Sequence, residues 1–305
     1  MAAWWQRQEG MVTVLVGLAV TAILGLGAIA LDAGQLYLAR GRLQDVADSA
    51  ALAGAALLPE DPDGAVTMAL EYAALNGVPE GQAEVGVEEG GDVVRVTVRS
   101  HVGPSFASAL GLGGRDLEVS SRGRVASLSR LEGAQPLGVE LSGYEYGALY
   151  TLKLEAGGDG EGPEQGNFHA LALGGRGASN YRDNLAYGYE GCLGLGDQVW
   201  TEPGDMRGPT YQGLRDRIDA DPDATYLTVE PGSPRLLLVP IVNTFDVEGR
   251  KAATIVGFAA FFLEAVSGGA SVDVQGRFLH LVVDGPSEDF PVAPDCGLRV
   301  VKIVS

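Results

Sequence analysis

The chain has 305 residues, and its 21 basic and 40 acidic side chains leave a formal net charge of −19. That field repels phosphate backbones, so nucleic acid is excluded as a partner; it also repels anionic lipid, so any membrane contact must come from a dedicated segment. Hydrophobic residues at 46% and charged residues at 20% describe a folding chain, long enough for an anchor and two modest units.

Residues 11–31 read MVTVLVGLAVTAILGLGAIAL without a charge, about the length that crosses a 30 Å hydrocarbon core at 1.5 Å per residue. A transmembrane helix is expected. The competing reading is a cleaved secretory signal, for which the apolar run is long and the cleavage-site pattern poor. Trp4 and Trp5 suit an interfacial belt and Arg7 a cytoplasmic flank. Residues 1–10 are therefore expected inside the cell, with everything after Leu31 outside. Gly17, Thr21 and Gly25 recur every four residues, a spacing that lets two helices approach in lipid and self-associate. Ordinary glycine enrichment of membrane helices explains it equally well.

Beyond the span, Leu36, Ala39, Leu43, Val46, Ala50, Ala53 and Leu57 repeat in steps of three and four. They form a seam on a helix that continues unbroken and stops near Pro59. Such a seam serves a coiled coil between chains or covers the domain's own sheet. A second helix is expected over 65–75, stopped by Asn76-Gly77. Strands follow over 83–88 and 93–99, joined at Glu89–Asp92, then a short helical piece at 104–110 and a third strand over 117–125.

The run from EGMVTVLVGL to ADSAALAGA resembles the N-terminal region of TadG-like (TadE/TadG-type) proteins of the tight-adherence, or Flp, pilus machinery. The marks are the charge-free span ending in ALDAG, Tyr37, the Arg40-x-Arg42-Leu43-Gln44 step and the alanine-rich run from Ala47 to Ala55. The resemblance reaches from residue 10 to about 126. It implies a cell-envelope location, pilus subunits or assembly machinery as partners, and a part in pilus assembly or cell-surface adhesion.

Residues 127–136 read as a polar linker to a mainly-β extracellular domain over 137–305. Strand-like runs at 137–141, 149–154, 168–173, 193–201, 235–242, 253–263 and 277–283 alternate with turns such as GGDGEGP, and helices are expected at 180–187 and 212–218. A sandwich or a barrel fits. The apolar run 255–263 is too short to span a membrane and reads as a buried central strand. The expected class is α+β: a transmembrane helix continuing into a long helix on a small antiparallel sheet over 32–126, then the β domain. That domain is similar to the C-terminal region of TadG-like proteins of Firmicute type. It lacks the DxSxS motif of the branch carrying a von Willebrand A domain, so no adhesion metal site carries over.

Chemistry is sparse. His101, His169 and His280 are scattered without metal-ligand spacing, no GxSxG elbow surrounds a serine, and GGRGAS lacks the lysine of a phosphate loop. No catalytic residue, cofactor or metal site is expected. The acidic stretches 61–64 and 219–223 match no EF-hand and read as solvated charge. Tyr144, Tyr146, Tyr150, Tyr181, Tyr187 and Tyr189 are either core or an exposed surface; the second option keeps a glycan- or solute-binding module open. Cys192 and Cys296 form either a disulfide closing a long loop or two separate thiols.

Overall fold

A computed structural model describes residues 8–88, 90–140, 143–154, 165–202, 204–243, 252–269, 271–288 and 295–304. Trp4, Trp5, Arg7, Glu89 of the expected hairpin turn and the glycine-rich turn at 157–163 lie outside the described residues. The chain is α+β and divides into two compact units: Met1–Arg124 with Ile303–Ser305, and Val125–Lys302.

The first unit is built on α1 (Gln8–Ala55), one uninterrupted helix of 48 residues. Its apolar part reaches a mean hydropathy of 2.5 with none of that window buried by protein, and it is the one described helix long and apolar enough to cross a membrane. Helix α2 (Pro62–Leu75) starts where Asp61 caps the Gly64 N–H at 2.8 Å with Pro62 at the first turn. That cap gives the acidic stretch 61–64 a structural role. Strands β1 (Ala83–Val87), β2 (Val93–Val102) and β3 (Arg115–Leu128) form an antiparallel meander. A 3₁₀ turn, Ala107–Leu110, lies between β2 and β3.

The C-terminal part of α1 packs through Ala47, Ala50, Ala51, Gly54 and Ala55, with Leu58 of the following turn, all buried, against Ala65, Ala69 and Ala73 of α2 and the valines of β2. This stripe is wider than the expected heptad seam and rotated from it, because the helix meets two neighbours instead of one. Close approach is the reason for the small side chains. A Cβ on Gly54 would stand 2.7 Å from the Ala65 carbonyl oxygen, and one on Gly123 would stand 2.3 Å from that of Ala51.

In the second unit the expected linker is structure instead. After β3 come β4 (Arg130–Glu132) and β5 (Leu137–Glu140), and Ser127, Leu131, Ala134 and Gln135 are buried. The stretch was polar by composition, yet its polar groups are used: the Gln135 carboxamide oxygen accepts from the Leu238 N–H and its amide donates to the Gly133 carbonyl at 3.1 Å. The remaining elements are β6 (Tyr150–Leu154), β7 (Gln165–Ala170), α3 (Ala178–Tyr187), β8 (Cys192–Gly194), β9 (Gln198–Trp200), α4 (Arg207–Ala220), β10 (Leu236–Val242), β11 (Ala252–Ser267), β12 (Asp273–Leu279), β13 (Leu281–Val282), β14 (Ser287–Glu288) and β15 (Leu298–Val304).

Of sandwich and barrel, the structure is a barrel. The pairing runs β10-β5-β7-β6-β12-β11 and returns from β11 to β10, closing a ring with parallel joints at β10–β5 and β6–β7. Alternate residues such as Val239, Phe261, Val274 and Phe278 share one core cluster. The run 255–263 of β11 is apolar because both faces are covered there: Phe261 lies in that cluster and Phe258 in a second. Gly276 on β12 leaves room for the Phe261 ring, which a Cβ would meet at 2.4 Å. Arg217 of α4 is buried and donates to the carbonyls of Leu185, Ala186, Pro234 and Leu236 at 2.6–3.1 Å, joining α3, α4 and β10.

Two predictions follow from the first unit. Gly123→Ala should destabilise it by about 1–3 kcal/mol by forcing β3 from α1, whereas Gly86→Ala, with open space around its Cβ position, should change stability by less than about 0.5 kcal/mol; urea unfolding followed by hydrogen exchange in α2 separates them. The second concerns Glu88, which receives Arg122 at 2.5 Å and Arg95 at 2.6 Å. Those hydrogen bonds, Arg122 first, hold its carboxyl at about 2, below the ordinary 4.5. Its stabilising contribution is therefore complete above about pH 4.5 and fades as pH falls toward 2. Solvent screening limits it to roughly 1 kcal/mol, and Glu88→Gln should flatten that part of an acid-unfolding curve.

Candidate interaction surface at the membrane-proximal helix

Asp32 ends the charge-free segment and is 7% exposed, buried by the loop between β2 and β3. Its carboxylate accepts the backbone N–H groups of Ser105, Phe106 and Ala107, the first at 3.0 Å and the last at 2.6 Å. Three donors at the start of a 3₁₀ turn have no partners within the turn, and a carboxylate from another element satisfies them together. Gln35, one turn along α1, accepts from the Ser105 hydroxyl at 2.8 Å. A groove of about 520 Å³ lies beside this contact, lined by Ile29, Asp32, Ala33 and Leu36 of α1, by Pro104 and Leu112 of the loop and by Arg115 at the start of β3.

Asp32 was not among the residues that the sequence singled out. The signal was available: an acid directly after an uncharged span, with no nearby basic residue on its own helix turn to pair with it.

The expected seam is distributed along this helix. Ala50 is fully buried, while Leu36, Ala39, Leu43, Val46, Ala53 and Leu57 are half-buried along the margins of the packed stripe. Tyr37 at 78% and Leu38 at 60% are exposed beyond the apolar segment. Leu24, Leu31 and Leu38, spaced by seven, leave an exposed leucine edge that crosses from the apolar segment onto the folded unit. Gly17 and Gly25 have open space at their Cβ positions, and the Thr21 hydroxyl donates to the Gly17 carbonyl at 2.9 Å. This face is accessible.

The other residues of interest fall into structural roles. Cys192 and Cys296 are free thiols, the first exposed in β8 and the second buried, so the disulfide reading gives way to two separate thiols. Burial, aided by the charge of Asp295, pushes the Cys296 thiol up to about 12, which keeps it protonated and unreactive. Tyr144 stacks on Phe278 at 4.2 Å, Tyr150 meets Tyr144 edge-on, and the buried Tyr181 hydroxyl shares a hydrogen bond with Thr210 at 2.9 Å. These tyrosines are core. The cavity at Tyr144 and Tyr146 holds about 130 Å³, below the several hundred of a sugar-sized site. His101 pairs with Asp116 at 2.7 Å, and the His280 ring lies tilted against that of Tyr146, centroids 3.6 Å apart. Asp219 pairs with Arg215, and Asp221 accepts from the Ser233 hydroxyl.

Removing the Asp32 acceptor should release the loop without unfolding the sheet. Asp32→Ala is expected to speed amide exchange at Ser105–Ala107 by about tenfold or more, the loss of at least one net hydrogen bond. Exchange at the Val96 and Val98 amides should stay as it was, and Asp32→Asn, which keeps one acceptor oxygen, should fall between.

No curated protein and no solved structure matches the chain. Residues 10–57 match the Tad family model, described as "Putative Flp pilus-assembly TadE/G-like". The matched stretch covers α1 from its apolar segment to its end at Ala55 and the first residues of the turn beyond.

Proposed function

We propose that this chain is a membrane-anchored component of tight-adherence, Flp-type pilus assembly or of the cell-surface adhesion it serves, working through protein contacts and not through catalysis. The observation that carries the reading is that the Tad match over residues 10–57 coincides with a single helix. That helix is exposed along its apolar part and again at Tyr37 and Leu38, and it packs into its own folded unit at Asp32 and from Ala47 onward. A helix so divided has one portion for lipid, one for its own domain and one between them for a partner.

In this reading residues 11–31 cross the membrane once, the N-terminus is cytoplasmic and both folded units lie outside. The leucine edge Leu24-Leu31-Leu38 and Tyr37 meet pilus subunits or assembly machinery. The face carrying Gly17, Thr21 and Gly25 offers close helix–helix contact within the bilayer to the same machinery or to a second copy. The half-buried seam residues Leu36 and Leu43 border the partner surface.

The test is photocrosslinking in whole cells from Leu38, with Ala50 as a buried control. Capture of pilus subunits or assembly proteins from Leu38 and not from Ala50 is the expected result. Equal capture from both positions, or unchanged piliation when the protein is deleted, would overturn the proposal.

A further inference from the structure

The geometry points to a second lipid contact besides the apolar helix. We propose that the loop from Gly103 to Arg115 is an interfacial membrane-binding element. Phe106 and Leu112 enter the boundary between headgroups and acyl chains, and the Arg115 guanidinium meets lipid phosphates. The inference rests on reading residues 11–31 as the span.

The height of the loop above that span is fixed by hydrogen bonds. Asp32 receives Ser105, Phe106 and Ala107, and Gln35 receives Ser105. At 1.5 Å per residue these positions lie about 1.5–6 Å past Leu31 along the helix axis. A bilayer whose core is about 30 Å and whose full thickness is 40–45 Å has a headgroup layer of about 5–8 Å on each side. The loop sits inside that layer.

What it presents there suits lipid. Phe106 is 49% exposed and Leu112 is 53% exposed. Apolar side chains at that depth suit the boundary between headgroups and acyl chains, where they bury apolar area in lipid. Leu112 shares the groove with Ile29, which belongs to the apolar segment itself, so one wall of the groove is continuous with the surface that acyl chains cover. Arg115 lines the same groove, is exposed, and carries no ion pair among the described residues.

The nearby acids are directed elsewhere: the Asp32 carboxylate faces three N–H donors and Asp116 faces the His101 ring, so among the described residues neither forms an ion pair with Arg115. The overall charge of −19 opposes general adsorption of the domain to anionic lipid, so the contact is confined to the position where α1 delivers it.

The experiment uses the full-length chain carrying Cys192→Ser, with single cysteines at Leu112, Leu75 and Ile23 in turn bearing an environment-sensitive fluorophore. Each is reconstituted into phosphatidylcholine–phosphatidylglycerol vesicles with and without lipids carrying a shallow nitroxide. Leu75, exposed at the end of α2, reports water, and Ile23 reports the span. The expected result is quenching of the Leu112 label by the shallow nitroxide about twofold or more above the Leu75 label, with reduced access to aqueous iodide. Phe106→Ser combined with Arg115→Glu should return the Leu112 label toward the Leu75 level, and no change would overturn the role given to those side chains. A Leu112 label as open to iodide as Leu75, with Ile23 still quenched by lipid, overturns the loop contact and leaves the span intact. Shielding of Leu112 from iodide without nitroxide quenching means that protein covers the groove, and also overturns it. An Ile23 label open to iodide removes the span and the loop contact together.

Discussion

The arrangement of the first unit depends on one buried carboxylate. Without Asp32 the loop between β2 and β3 would present three unpaired N–H groups beside a groove lined by Ile29, Leu36, Leu112 and Arg115. With it, the sheet is tied to α1 at two distant places: the alanine stripe from Ala47 to Leu58 at one end, and the Asp32 contact at the other. Packing alone at the alanine end would leave the helix free to pivot. The second attachment sets its direction relative to β2 and β3.

The two attachments use different physics. The alanine stripe works by proximity, since small side chains let backbone approach backbone and gain dispersion over a long contact. The Asp32 contact works by charge, since a carboxylate shielded from most solvent gains more from three amide donors than it would in open water. Neither needs a ligand. In the second unit the same division recurs, with apolar filling inside the closed barrel and Arg217 and Arg235 gathering backbone carbonyls where helices and strands meet.

Much of the fold was legible because hydrophobic period and turn residues agreed. The charge-free run, the valines of β2 and the doubly buried β11 each left an unmistakable pattern. The helical seam was legible in kind but not in phase. A period count assumes one partner, whereas α1 meets α2 and the sheet together, and Gly54 contributes by being absent as a side chain. The stretch 127–136 was misleading because its polar residues signal solvent by composition while Gln135 spends its amide on backbone groups. The choice between sandwich and barrel was not readable, since the parallel joint of β5 with β10 pairs strands far apart in sequence. Asp32 was visible as a residue, but its importance depends on a loop about 75 positions later, a distance over which pattern reading carries no information.

The continuity of α1 has a mechanical consequence. No proline interrupts the helix between Gln8 and Ala55, so a single ladder of backbone hydrogen bonds runs from the apolar segment into the folded unit with no joint along it. Turning the lower part about its long axis swings the Leu38 edge through the same angle, and tension on the unit is borne down the same rod. A rearrangement among helices around the apolar segment would thus reach the folded unit as torsion, undiminished by any hinge.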